Sequence, residues 1–319
     1  MPAWTPDPVL GAGYVQCEIP LGEDDEGAIL ATVLHREPDR PVAPDRLPVL
    51  VLHGWSDYVF QRELLEHLAA RGLDVWALDL RKHGRSLRPW QTATDVASLE
   101  DYDAEIGAAL DAIGRDRRPL VLAHSSGGLV AALWAMRHPG ELTGLVLNSP
   151  WLEFHLRAAG RRLTLPVVRR LARRHPHRPV LPPGPDHYAR SLHEDFGGEF
   201  AFDLEWKPPG GHAFPASTMA AVLEGQGRLH EGRVLEPVLV LHAGRSRFRR
   251  RFDEDMRRSD VVLDVTGMDA AARRLGPRVE VAVIDGARHD VFLSEPDARE
   301  RALHALDAWL DRLRTADPA

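Results

Sequence analysis

Apolar positions along the chain fall into short unbroken blocks, separated by stretches in which they recur every three or four residues. The blocks Leu47–Leu52, Leu73–Leu80, Leu120–Ala123, Leu145–Leu147, Val238–Leu241 and Val279–Ile284 are rich in Val and Leu and are bounded by turn residues. Continuous apolar runs of this length are what strands buried on both faces require. Between them, Leu99, Tyr102, Ile106, Ala109, Leu110 and Ile113 share one face of a helix, as do Leu303, Leu306, Trp309, Leu310 and Leu313 near the end. Strands alternating with helices predict an α/β fold with a mostly parallel sheet and right-handed crossovers. Val15–Ile19 and Ile29–His35 have no helix between them. They predict an antiparallel edge, which brings the expected sheet to eight strands.

The alternation fails once. From Trp151 to Val234 no convincing strand is visible; two basic helical patterns are followed by Pro179, Pro182, Pro183 and Pro185, and then by Lys207-Pro-Pro-Gly-Gly. This is too long for a plain loop in a compact domain. It reads as a mostly helical lid over residues 151–234, inserted between two parts of one core, 1–150 and 235–319.

Composition narrows the function classes. The 319 residues are 44% hydrophobic and 27% charged with a formal charge of −7, which argues against a nucleic-acid partner by bulk electrostatics. The single cysteine, Cys17, forms no internal disulfide and reads as a packing residue in a strand, consistent with a reducing compartment. The N-terminus lacks the basic start and apolar centre of a signal peptide. The apolar runs are far shorter than the ~20 residues that span a bilayer. A cytoplasmic protein is expected.

The candidate chemistry lies in Pro119–Leu133, PLVLAHSSGGLVAAL, where a strand, a tight turn and a helix meet. A nucleophile on such an elbow needs small residues two before and two after it, because the turn crowds those backbones. Ser125 has Ala123 and Gly127 at these positions, whereas Ser126 has His124 and Gly128. Ser125 is therefore the candidate nucleophile, with a helix expected to start at Gly127. The backbone N–H of Ser126 would donate to a substrate oxyanion. A second donor is expected after an earlier strand, and the turn His53-Gly54-Trp55 offers the N–H of Trp55. His53 itself reads as a structural hydrogen-bonding residue.

A serine hydroxyl needs an imidazole to take its proton and a carboxylate to orient that imidazole. His289 directly follows the last strand, in VIDGARHDVFLSEP, where a parallel sheet places its site. The acid should follow the strand Val238–Leu241, but the turn there, HAGRSR, carries none. Among Asp253, Glu254, Asp255, Asp260 and Asp264, Asp260 is preferred because it leads a β-branched run that can hold it. Asp264 is second and Glu153 a distant third. Asp253–Asp255 sit among arginines and read as a solvated cluster.

Taken together these residues resemble the α/β-hydrolase fold family, and within it the monoacylglycerol lipase, lysophospholipase and serine aminopeptidase-like group, over nearly the whole chain. The motifs that carry the resemblance are His53-Gly54-Trp55, Lys82-His83-Gly84-Arg85-Ser86, Ala123-His124-Ser125-Ser126-Gly127-Gly128, Asp260-Val261-Val262-Leu263 and Gly286-Ala287-Arg288-His289-Asp290. Lys82 and Ala123 stand where the family has Gly. The family's usual acid position aligns with Ser246, so about a dozen extra residues precede Asp260. The resemblance implies an ester hydrolase acting on a mono-acyl lipid or a medium-chain ester, with no metal or cofactor. The serine at the elbow sets the chain apart from relatives with an aspartate nucleophile. Two other readings remain: a peptidase, with Glu194, Asp195 or Glu199 holding a substrate ammonium, and a non-catalytic receptor on the same scaffold. The segment Trp151–Arg178 holds eight arginines and one acid. Arg161, Arg162, Arg169, Arg170, Arg173 and Arg174 alternate there with Leu163, Leu165, Val167, Val168 and Leu171. This is either a lid helix with a solvated outer face or a basic amphipathic surface for peripheral contact with anionic membrane.

Overall fold

Each apolar block of the sequence is a strand. In the computed structural model, which describes residues 3–37, 46–153 and 157–316, the chain runs through β1 (Thr5–Pro6), β2 (Tyr14–Asp24), β3 (Gly27–Arg36), β4 (Pro48–Leu52), α1 (Arg62–Ala70), β5 (Asp74–Asp79), α2 (Asp103–Ile113), β6 (Leu120–His124), α3 (Ser125–Arg137) and β7 (Gly144–Asn148). It continues through α4 (Arg157–Arg174), β8 (Pro179–Leu181), α5 (His187–Leu192), β9 (Phe214–Pro215) and α6 (Ala216–Leu229), and returns through β10 (Val238–Ala243), α7 (Val265–Ala272), β11 (Val279–Ile284) and α8 (Pro296–Ala316).

The main sheet has the order β1-β2-β3-β5-β4-β6-β7-β10-β11. The pairs β1–β2, β2–β3 and β3–β5 are antiparallel and the rest are parallel. The eight expected strands are all present. A ninth, the two-residue β1, extends the antiparallel edge; a segment that short carries no readable period. Successive residues along each strand face opposite layers. Leu50 and Leu52 of β4 pack with Ile106 and Leu110 of α2 and Leu129 and Leu133 of α3, whereas Val49 and Val51 pack with Leu65 and Leu68 of α1 and Leu306 and Leu310 of α8. The last strand departs from the expectation of two covered faces. β11 is an edge strand with Val283 exposed, so an apolar run alone does not report burial on both sides.

All six apolar positions of the Leu99–Ile113 pattern are buried, although the segment begins as a 3₁₀ turn, Leu99–Tyr102, before α2. The inserted segment holds α4, α5 and α6 but also a two-stranded antiparallel ribbon, β8–β9. Its strands are three and two residues long and proline-containing, which is why no alternation marks them in the sequence. α6 packs onto α3 through Met219, Val222 and Leu223.

Candidate active site

The strand β6 ends at His124 and α3 begins at Ser125, two residues before the expected start. Ser125 itself takes the turn, with φ +50°. A left-handed serine costs about 1–3 kcal/mol and persists only where its surroundings hold it. The small neighbours have a visible cause. A Cβ on Gly127 would lie 2.2 Å from the His53 carbonyl oxygen, and one on Gly128 would lie 2.7 Å from Pro150 Cβ. The elbow is also tied from the far side, where Trp151 N–H donates to the Ser125 carbonyl at 2.9 Å.

His289 and Asp260 converge on this turn. Ser125 Oγ lies 3.0 Å from His289 Nε2, and His289 Nδ1 lies 2.8 Å from Asp260 Oδ2. The second carboxylate oxygen, Oδ1, accepts the N–H groups of Val262 and Leu263 at 2.7 and 2.8 Å. A carboxylate filled on this side has one direction left in which to accept, and that direction fixes the imidazole with its proton on Nδ1. All three residues are buried. The His289 loop is braced by its neighbour: Asp290 Oδ1 accepts from Asn148 Nδ2 at 2.6 Å and from Phe292 N–H at 3.0 Å.

The extra residues before Asp260 form an excursion that leaves the sheet and returns. Ser246 and Asp260 pair in a short parallel bridge, in which Asp260 N–H donates to Arg245 O at 2.9 Å and Arg247 N–H to Asp260 O at 2.8 Å. Asp260 thus arrives beside Ser246, the position to which the family pattern points. The competing carboxylates have other partners. Asp264 caps α7 through Thr266 N–H, Asp253 holds Arg247 at 2.7 Å, and Glu153 meets His230 at 3.0 Å.

Opposite these three residues lies the turn after β4. His53 Nε2 accepts from Leu80 N–H at 3.0 Å and its Nδ1–H donates to Gly54 O at 2.7 Å, so this histidine is structural. Among the described residues, the backbone N–H groups of Trp55 and Ser126 donate to no protein acceptor. Trp55 is oriented by its indole, which donates to Thr94 Oγ1 at 2.9 Å. Burial lowers the pKa of His124, beside Ser125, to about 4 against the opposing charge of Asp290, and it lowers that of His83 well below its ordinary value. Both stay neutral and serve as hydrogen-bonding struts.

A cleft of ≈ 360 Å³ opens over Ser125 and His289. Its apolar wall comes from Trp151, Leu181, Phe214, Val261, Val262 and Leu263. It is also lined by a buried charged pair that no motif announces: Lys207 Nζ, from the inserted segment, lies 2.7 Å from Asp57 Oδ1. None of Glu194, Asp195 and Glu199 borders the cleft; Glu199 instead meets Arg299 at 3.3 Å. On α4, Leu163 and Val167 are 79% and 68% exposed, and Arg170, Arg173 and Arg174 are exposed with them. The side chains of Arg161 and Arg162 lie outside the described residues.

Lys82, which replaces a family glycine, keeps a left-handed backbone at φ +56° and buries its ammonium among Asp24, Glu26 and Asp95 at 2.7, 2.6 and 3.4 Å. His177 of the inserted segment joins the same cluster, with Nε2 2.9 Å from Asp25 and Nδ1 3.2 Å from Asp95. Glu26, Asp95 and His177 are the one group among the described residues with metal-like ligand spacing, but the Lys82 ammonium already serves as the cation there. No described helix is long and apolar enough to cross a membrane.

Comparison with known proteins gives the family and the fold. The family model described as serine aminopeptidase, S33, matches residues 43–297. The monoacylglycerol lipase of Mycolicibacterium smegmatis is 26% identical over 276 residues, covering 84% of this chain and 90% of that protein. Lysophospholipase L2 of Escherichia coli strain K12 is 31% identical over 118 residues, 35% of each chain. Among solved structures, the monoacylglycerol lipase of Paleococcus ferrophilus superposes with a TM-score of 0.65 at 21% identity, covering 93% of this chain and 99% of that one.

Proposed function

The chain belongs to the serine aminopeptidase S33 family of α/β-hydrolases, and within it we propose a serine hydrolase that cleaves carboxylic esters through an acyl-enzyme. The observation that carries this reading is the unbroken series of contacts Ser125–His289–Asp260, at 3.0 and 2.8 Å. His289 Nε2 takes the hydroxyl proton as Ser125 Oγ attacks the ester carbonyl carbon. The imidazolium is stabilised by Asp260. The negative charge on the carbonyl oxygen is received by the N–H groups of Trp55 and Ser126, each such donor being worth about 2.7–4 kcal/mol in the transition state. As the tetrahedral intermediate collapses, the C–O bond to the leaving group breaks and His289 returns the proton to the departing alcohol. Water, deprotonated by the same imidazole, then attacks the acyl-enzyme, releasing the acid and restoring Ser125.

The cleft and the relatives support a substrate class. The apolar wall suits an acyl chain, and the volume sits at the small end of the ~300–1,000 Å³ usual for ligand sites. With monoacylglycerol lipase and lysophospholipase among the relatives, a medium-chain ester or mono-acyl lipid is favoured over a peptide. The acids proposed to hold a substrate ammonium also lie off the cleft. The test is a matched series of p-nitrophenyl esters of graded acyl length and amino-acid p-nitroanilides. Turnover of medium-chain esters, with anilides at least about 100-fold slower, upholds the reading; the reverse order overturns it.

The lid supplies a second element of this proposal, peripheral contact with anionic membrane. α4 presents Leu163 and Val167 one helical turn apart, with Arg170, Arg173 and Arg174 continuing the exposed face. Apolar side chains flanked by cations match an anionic lipid surface. Flotation with phosphatidylglycerol vesicles should recover the protein, and L163E/V167E should lose that recovery while keeping turnover of a soluble ester. Equal recovery with neutral vesicles would remove the electrostatic part of the argument.

A further inference from the structure

The acid of the triad stands at the end of an excursion, residues 247–259, and its registration against His289 needs a mechanical cause. The root of the excursion is held by the two backbone hydrogen bonds between Arg245, Arg247 and Asp260. Its outer face is held by Arg258, which meets Glu295 and Asp297 at 2.8 and 2.7 Å where the side chains are half-buried to exposed. Solvent screening limits what these contacts contribute. One buried group spans the remaining gap. Arg288, adjacent to His289 and 2% exposed, sends Nε to the Arg257 carbonyl at 2.9 Å and one terminal nitrogen to the Leu293 carbonyl at 2.8 Å. Its own N–H donates to Ser294 Oγ at 2.9 Å.

A planar guanidinium with fixed donor directions is a rigid spacer. Here it joins the residue next to the catalytic imidazole to a carbonyl three positions before the catalytic carboxylate. We propose that Arg288 is a positioning residue of the reaction, setting the Asp260–His289 separation by clamping the excursion at Arg257 O. This rests on the triad reading above. The clamp grips the backbone of Arg257 and not its side chain, which points elsewhere: Nε to Glu254 at 3.0 Å, and the terminal nitrogens toward the carbonyls of Gly197 and Phe196 on the lid. The two arginines therefore make separable predictions.

The experiment is a double-mutant cycle on ester turnover. Arg288→Met should lower kcat by about 10- to 100-fold, the scale set by small misplacements of reacting groups, with KM within about 3-fold. In an Asp260→Asn background the same substitution should cost less than about 2-fold, because the separation it sets no longer matters. Arg257→Ala, which keeps the gripped carbonyl, should hold kcat within about 2-fold. Where Arg288→Met fails to fold, Arg288→Lys carries the cycle, since it keeps the charge but loses the fork. An equal loss in both backgrounds, a change in KM alone, or a kcat loss in Arg257→Ala matching that of Arg288→Met would overturn the proposal. Asp260→Asn alone separates the two levels. If it is crippled, the triad stands whatever Arg288 does; if it is fully active, the acid assignment falls and the clamp with it.

Discussion

Ser125 concentrates the demands of the site in one residue. It must sit at φ +50°, have room on both sides, and keep its hydroxyl on the imidazole. Such a residue is readable in advance because the crowding constrains its neighbours, and Ser126 fails that test through His124. His289 is readable for a similar reason, being fixed by the end of β11 and by Gly286. Asp260 was one choice among several acids, since the excursion separates it from the strand that positions it. The Asp57–Lys207 pair was not legible at all: the two residues are 150 positions apart and meet only in the folded chain. At this scale Asp260 and Asp264 make opposite predictions. Asp260→Asn should lower kcat by about 10³- to 10⁴-fold, by freeing the imidazole from its tautomer. Asp264→Asn should leave turnover near wild type, because Asn also caps helices well. Steady-state kinetics on one p-nitrophenyl ester compares them, and reversed ranks would move the acid.

At the scale of elements, the inserted segment is joined to the sheet-bearing part of the chain through a charged clasp. His177 bridges Asp25 on the β2–β3 turn and Asp95 on the loop that also carries Thr94, the partner of Trp55. Burial works against the imidazolium, but the hydrogen bond to Asp25 and the charges of Asp95 and Glu26 overcome it, so the pKa of His177 is raised above 6.5. A raised value means that the protonated clasp is fully formed below the ordinary histidine range and is lost as pH rises through the folded-state value. Limited proteolysis should therefore cut the inserted segment faster at pH 9 than at pH 6. His177→Gln should erase the difference; a pH effect that survives in this variant would place the switch elsewhere. The core elements of the sheet were legible because each strand is one apolar block. The ribbon β8–β9 was not, since its pairing comes from tertiary contact and its residues carry no period.

For the whole molecule, stability should carry the signature of its buried neutral histidines. Burial lowers His124 to about 4 and His83 well below the ordinary 6.5, so the unfolded chain binds more protons than the folded one between those values. The stability from keeping these rings neutral is complete above pH 6.5 and is lost as pH falls toward 4. Asp74 extends the loss to lower pH. Burial raises its pKa, but hydrogen bonds from His35, Trp76 and Arg117 prevail and hold it at about 2. Thermal melts should show a midpoint that falls steadily from pH 7 to pH 4, with a shallower slope in His124→Gln. A midpoint flat across this range would mean that these rings are not the buried neutral struts described.

The central claim is that an alcohol on a strained turn is made nucleophilic by His289 and Asp260. A fluorophosphonate reagent tests it most directly, since it traps an activated serine without needing to know the substrate. Intact-mass and peptide analysis should find one adduct per chain, on the peptide containing Ser125, and none in folded Ser125→Ala. Folded wild-type protein that takes no label, or an adduct that persists in Ser125→Ala, would contradict the account.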